Sequence, residues 1–479
     1  MYKKNQLIVG DGRSVTAEQA MVLRWLASQE NLLTALPRIL GLSLLFAILV
    51  FAAFYIADVN FPEFTISERD FAFLGTMLLV SLVFLRLFVL LGDLISSRYM
   101  LFPARALMYL YPLAAATMLV RFVLRFEIAL TFAVCLALMG AFIAPTDMPI
   151  ALFFLISSLV GAHAMGHAAR RADLLKAGLF VGLINVAMLS CFFLLRGTYN
   201  DIAVLASSAL LGGVLSGITA IALTPIVEWL FGYLTPISLL ELANYEHPLL
   251  RQIMTNTPGT FQHSVTIGAL AESAAERIGA DPLLCRVGAL YHDAGKSMNP
   301  EWFVENQSAV NPHDALHDPV KSAEIIKKHV TDGVALAREH KLGERIIDFI
   351  LEHHGTNRIS YFLAKAREAE GNGGQPFDEA VFRYDGPKPR SKETGIMIVA
   401  DAVEAISRTM KENTADALRQ MIDKTVARLQ STGQLDDAPL TQRDLVQMRE
   451  AFVGVLAGVH RPRIDYRDEA PDSNLPPSP

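Results

Sequence analysis

The feature that most constrains this chain is the point at which its apolar residues stop. From Leu36 to about Leu234 long apolar runs recur with little charge between them, whereas His, Lys, Asp and Glu crowd the residues that follow. With 52% of 479 residues hydrophobic and so unevenly placed, the first half calls for a bilayer and the second for water. Stretches near the roughly 20 residues that cross a hydrocarbon core begin near Leu36, Phe71, Arg105, Glu127, Pro149, Lys176 and Ile202, seven in all. The third is the weakest. Its apolar part, Tyr109 to Val120, is short, holds Pro112 and is flanked by Arg105, Arg121 and Arg125, a pattern that also suits a re-entrant segment.

The polar start of the chain argues against a cleavable signal peptide. The loop carrying Arg170, Arg171 and Lys176 is expected on the cytoplasmic side, and the Pro145 to Pro149 turn with Asp147 on the outer side. Both place everything beyond Leu234 in the cytoplasm. Whether six or seven spans precede it, and hence the side on which the chain begins, stays open. A net charge of -6 gives no general attraction for nucleic acid polymers. Three cysteines, Cys135, Cys191 and Cys285, supply neither a disulfide frame nor a thiolate zinc site.

Beyond Leu239 the pattern is helical and soluble. Asp281-Pro282 and Asp318-Pro319 are helix starts, with an Asp cap before Pro at the first helical position. No stretch alternates with period two, so an all-α domain is expected, with Gly371 to Lys392 as a long irregular exception. Five histidines sit in short motifs: His263 in GTFQHS, His292 beside Asp293 in YHDAGK, His329 in IIKKHVTDG, and His353 with His354 in EHHG; Asp401 follows in IVADAVEA. A lone histidine is usually a core or surface residue. Five in such order, with carboxylates and no cysteine, suit manganese, iron or zinc with open positions for water and substrate. Neighbouring residues on a helix point about 100° apart, so each adjacent pair can address different parts of one metal cluster.

These motifs, with the stretches NTPGTFQHS, YHDAGKSMNPEWFVENQ, NPHDALHDPVKSAEIIKKHVTDG and RYDGPKPRSKETGIMIVADAVEA, resemble the HD-domain superfamily. Within it the chain is similar, over nearly its whole length, to the seven-transmembrane receptor HD hydrolases, the PgpH-type cyclic di-AMP phosphodiesterases. The resemblance implies an all-α protein with a multi-helix transmembrane bundle at 36–234 and a cytoplasmic HD domain at 239–460. Residues 1–35 would be a remnant like the end of the family's extracytoplasmic sensor region, most of which is missing here, and 461–479 a disordered tail. It implies two divalent transition metals, manganese or iron: His263, His292, Asp293 and Asp401 would bind one, Asp293, His329, His353 and His354 the other. Asp293 would bridge them, and the pair would activate a water to open cyclic di-AMP to linear pApA.

Asp293 and Lys296 are the candidate catalytic residues, Lys296 standing close enough to His292 to offset phosphate charge. Arg358, Lys388, Arg390 and Lys392 are basic candidates for the substrate phosphates, and His313 and His317 either touch substrate or cap and pack. The implied partners are a cyclic dinucleotide and the lipid bilayer of a bacterial cytoplasmic membrane; self-association is left open. A cyclic di-GMP hydrolase of the HD-GYP type is less suited, because EHHG runs into TNRISYF with no Gly-Tyr-Pro. Hydrolysis of ppGpp at a single metal would leave the His353-His354 pair without a role. A nucleotide-binding receptor without catalysis needs no full ligand set, and a transporter would leave the motifs unexplained.

Overall fold

A computed structural model describes residues 7–10, 14–28, 32–61, 64, 66–98, 103, 105–144, 148–166, 168, 170–197, 201–307, 311–371, 376–410 and 414–459. The expected tail at 461–479 and the Asp147 turn lie outside the described residues. The chain divides into two compact units, Met1–Phe231 and Gly232–Pro479. Among the described residues both are helical, and the only pairing of extended backbone is an isolated antiparallel bridge between Arg358 and Arg383.

Six helices of the first unit are long and apolar enough to cross a membrane: Ile39–Asn60, Glu68–Arg98, Arg105–Val123, Phe126–Ile143, Arg171–Arg196 and Ile202–Phe231. The candidate near Pro149 is a shorter apolar helix, Pro149–Ala164. The Arg105 segment breaks around Pro112 into Arg105–Leu110 and Ala114–Val123, because proline donates no backbone N–H. Its most apolar window is 72% buried, whereas that of Ile39–Asn60 is 0% buried. The broken backbone therefore lies inside the protein, where Tyr111 donates to the Ser81 carbonyl at 2.6 Å, and the unbroken helix faces outward. Glycines set the closest helix contact. A Cβ on Gly178 would meet Gly217 N at 2.7 Å, and Gly213 meets Gly182 in the same way, so Arg171–Arg196 and Ile202–Phe231 pack backbone against backbone.

In the second unit Pro258–Ile278 is the central helix, packed by Pro282–Tyr291, Lys392–Ser407 and Gln442–Val459. Its inward stripe of Ile267, Leu270, Ala271, Ala274 and Ala275 is fully buried with Val287, Phe349, Met397 and Phe452, which fixes the ligand-bearing helices against one core. The Asp-Pro starts are present: Asp281 accepts from Leu284 N and Asp318 from Lys321 N, both at 3.0 Å. Gly279 closes the central helix in the left-handed region at φ 69°. Of the irregular Gly371 to Lys392 stretch, 372–375 lie outside the described residues. The remainder holds one 3-10 turn, Glu379–Phe382, and then runs without regular structure, through Gly386 at φ 81°, into Lys392–Ser407.

Candidate metal centre

Five segments bring the motif residues together. His263 lies within Pro258–Ile278, His329 within Pro319–Glu339 and Asp401 within Lys392–Ser407. The adjacent pairs sit differently from the expectation that both members of each lie within a helix. His292 and His353 are the capping residues at the C-terminal ends of Pro282–Tyr291 and Glu344–Glu352, and Asp293 has already left helical geometry at φ -106°, ψ 19°. Two helix C-termini, with their partial negative charge, thus point at one centre, which favours a cation there.

The two oxygens of Asp293 face different partners. Oδ2 lies 3.1 Å from His292 Nε2 and 3.9 Å from His263 Nε2. Oδ1 lies 3.4 Å from His329 Nε2 and 3.6 Å from His353 Nε2. Ligand atoms of His263, His292 and Asp293 all fall within 4.8 Å of one another, as do those of Asp293, His329, His353 and His354. Asp401 lies 3.1 Å from His263 Nε2 and 3.9 Å from His354 Nδ1, between the two sets.

The tautomers follow from the backbone. His292, His329 and His353 each approach a carbonyl through Nδ1, those of Ala289 at 2.7 Å, Ile326 at 2.6 Å and Ile350 at 2.9 Å. A carbonyl only accepts, so each Nδ1 carries the proton and each Nε2 turns a lone pair toward Asp293. His329 Nε2 and His353 Nε2 are 3.3 Å apart. Two lone pairs and a carboxylate oxygen this close repel one another unless a cation lies among them. Moreover, His292 Nε2 and Asp293 Oδ1 are buried with no hydrogen-bond partner among the described residues. The donor set therefore fits divalent metal binding.

The electrostatics agree at His329 and His354, whereas His263 holds a proton that a bound metal would have to displace. Burial lowers His329 to about 3, and burial with the neighbouring His353 holds His354 well below its usual value, so both rings stay neutral. Against the opposing effect of burial, Asp401 and Glu404 push His263 up to about 9. Asp293 remains ionised despite burial, held down by His292 and Lys296. Lys296 itself stays protonated despite burial because Asp293 Oδ2 at 2.7 Å and Glu305 Oε1 at 2.8 Å flank it.

Beside the centre opens a cavity of about 440 Å³, whose walls include His329, His354, Phe303, Trp302, Tyr384 and His313. Tyr384 stacks on His354 with centroids 4.1 Å apart. The other basic candidates lie elsewhere. Arg390 binds Glu352 at 2.7 Å and Asp348 at 3.4 Å, Lys392 lies 3.9 Å from Asp444, and Lys388 lies 3.4 Å from Asp436. Arg358 is exposed at its bridge to Arg383.

Three residues at the centre escape sequence reasoning. Glu404, whose Oε2 is 2.7 Å from His263 Nδ1, carried a usable signal, since it stands one turn after Asp401 on the same helix face. Glu305 and Tyr384 carried none, because each arrives through an irregular segment.

Residues 36–235 match the family described as 7TM receptor with intracellular HD hydrolase, and residues 260–406 match the HD domain. The chain belongs to this family of membrane HD proteins. It is 34% identical over 368 residues to the cyclic-di-AMP phosphodiesterase PgpH of Bacillus subtilis (strain 168), covering 75% of this chain and 51% of that protein. The PgpH of Listeria monocytogenes serotype 1/2a (strain 10403S) is 35% identical over 367 residues, covering 75% of this chain and 50% of that protein. The chain thus spans about half the length of these relatives. A crystal structure of the L. monocytogenes PgpH HD domain in complex with cyclic-di-AMP is 40% identical, covers 46% of this chain and 100% of that one, and has a TM-score of 0.43.

Proposed function

We propose that this chain is a metal-dependent phosphodiesterase of the bacterial cytoplasmic membrane that hydrolyses cyclic di-AMP to linear pApA, with the part beyond Leu234 in the cytoplasm. The observation that carries the reading is the division of Asp293, one oxygen toward His263 and His292 and the other toward His329 and His353. The activity for which both PgpH relatives are named supplies the substrate class.

His263, His292, Asp293 and Asp401 hold one ion in this reading, and Asp293, His329, His353 and His354 hold the second. Two divalent transition metals, manganese or iron, would supply Lewis acidity to one phosphodiester and to an attacking water when bound. The Nε2 atoms of His292, His329 and His353 offer fixed lone pairs, and their backbone-bound Nδ1 protons keep these rings from turning. Lys296, held by Asp293 and Glu305, sets a permanent positive charge beside the substrate phosphate. The attack forms one bond from water oxygen to phosphorus and breaks the bond from that phosphorus to the 3'-oxygen, which departs with a proton. The second linkage stays closed, and the product is pApA with a free 5'-phosphate.

Full-length protein in detergent, supplied with manganese and separately with cyclic di-AMP, cyclic di-GMP and ppGpp, is expected to yield pApA from the first alone on chromatographic separation. Loaded protein that leaves all three intact points instead to a nucleotide-binding receptor. Glu404 supports His263 from behind, so Glu404→Ala is expected to weaken the metal held by His263 about 10–100-fold. Chelator competition should show this loss at one of two sites, and an unchanged profile would remove Glu404 from the centre.

A further inference from the structure

The turn that carries the paired histidines is held by a residue outside the HD-domain match. His353 caps the helix Glu344–Glu352, and His354 lies in the turn 353–356 that follows, where Gly355 takes a left-handed φ of 51°. His292, His329 and His353 are each steadied by a carbonyl behind the ring. Among the described residues the His354 ring has no such bond. It is stacked on Tyr384, and its direction depends on the backbone that carries it.

That backbone is fastened at Thr356. Its N–H donates to Gln434 Oε1 at 2.8 Å, and Gln434 Nε2 donates to Thr356 Oγ1 at 3.1 Å and to the Thr432 carbonyl at 3.2 Å. An amide turned the other way would set a donor against the Thr356 N–H and an acceptor against the Thr432 carbonyl, so its orientation is fixed. Gln434 is 1% exposed. Its own N–H donates to the Leu429 carbonyl at 2.9 Å, where Gly433 at φ 67° follows the helix Ala415–Ser431, and Leu429 is fully buried in the core. The amide therefore stands on a rigid element. A Cβ on Gly355 would collide with its Oε1, so the turn and the amide meet at the closest approach that a glycine permits. Residue 434 lies beyond 260–406, the span that matches the HD domain.

We infer that Gln434 is a positioning residue for the second ion. It fixes the turn from which His354 is presented, and so governs the affinity of the site formed by Asp293, His329, His353 and His354 and not that of the site at His263. The inference rests on the two-ion part of the phosphodiesterase reading, but it is read from metal binding without substrate.

Full-length protein in detergent is titrated with manganese against a chelator for wild type, Gln434→Met, Gln434→Glu and Gln434→Met combined with Glu404→Ala. Gln434→Met keeps the length of the side chain and removes its hydrogen bonds. It is expected to weaken one of the two ions about 10–100-fold, the range for partners that stand behind a ligand, and to leave the other unchanged. Gln434→Glu, which still accepts from the Thr356 N–H, should recover part of the loss. Because Glu404 stands behind His263, the combined variant should weaken both ions, whereas two changes acting on one site would leave the other ion tight. In metal-free protein the Thr356 amide should exchange its hydrogen slowly in wild type and about tenfold faster in Gln434→Met, the worth of one hydrogen bond. Two ions held by Gln434→Met as in wild type, equal weakening of both, as a merely structural role would give, no recovery in Gln434→Glu, or fast exchange at Thr356 in wild type overturns the inference. If Gln434→Met does not fold, the wild-type exchange and the Gln434→Glu titration still decide. Wild type that takes up one ion only removes the two-ion reading and this inference with it. Cyclic di-AMP left intact by protein that shows the selective metal loss removes the phosphodiesterase reading alone.

Discussion

Asp293→Ala is expected to abolish hydrolysis of cyclic di-AMP, with turnover falling at least roughly a thousandfold, and to lower bound metal at both sites together. The carboxylate is 3% exposed and is the one group shared by the two clusters of ligand atoms. Removing it takes a negative charge from both sites at once, where ordinary ligand loss would weaken one. Several kcal/mol of charge stabilisation then disappear from the transition state, and each 1.36 kcal/mol is a factor of ten. Asp293→Asn, with the same shape and no charge, should lose nearly as much. The readouts are metal content by mass spectrometry and rate of pApA formation. A variant that keeps two ions per chain would show that Asp293 does not bridge.

Gly295→Ala should have the largest effect on stability. A Cβ at Gly295 would run into the His329 carbonyl and stand 2.8 Å from its carbon and 2.5 Å from Gly333 N. These are backbone atoms of Pro319–Glu339, which no rotamer change can move aside. Overpacking of a filled core typically costs 1–3 kcal/mol, and with no flexible atom to yield the cost here should reach about 3 kcal/mol or more. Because Gly295 holds Ala294–Met298 against the His329 helix, the same methyl should push Asp293 and Lys296 away from His329. The expected result is a lowered apparent unfolding midpoint in the metal-free protein and a smaller upward shift on adding manganese. A midpoint within experimental error of wild type would mean that this contact relaxes.

The division of the chain was legible in the hydropathy alone, because apolar runs of membrane length are hard to place otherwise. The helix starts at Pro282 and Pro319 were legible because an Asp cap followed by proline is a local device. The histidine motifs could be read as a metal site from residue type, yet sequence spacing could not arrange them. His292 and His353 sit at helix ends, a boundary that depends on where the chain next packs, and that placement decides which way Asp293 and His354 leave the helix. Charge was the poorest guide. Arg390 and Lys392 stand beside carboxylates, of which Glu352 is buried next to His353, and tertiary neighbours of this kind leave no periodic trace. The break at Pro112 was visible as a weakness, but only burial tells that it lies within the protein.

The contact between His263 and Glu404 joins residues 141 positions apart, and the candidate ligands between them are contributed in turn by separate segments of the chain. During synthesis, then, no partial chain can present the complete cage before Asp401 has emerged, and closing so long a loop belongs to the slow, non-local phase of folding. A small zinc module can use its ion to nucleate structure. If the centre holds metal as proposed, the order here would be the reverse: the helices would assemble before the cage is complete, and the supply of ions would set how much of the finished protein is active rather than how much of it is made.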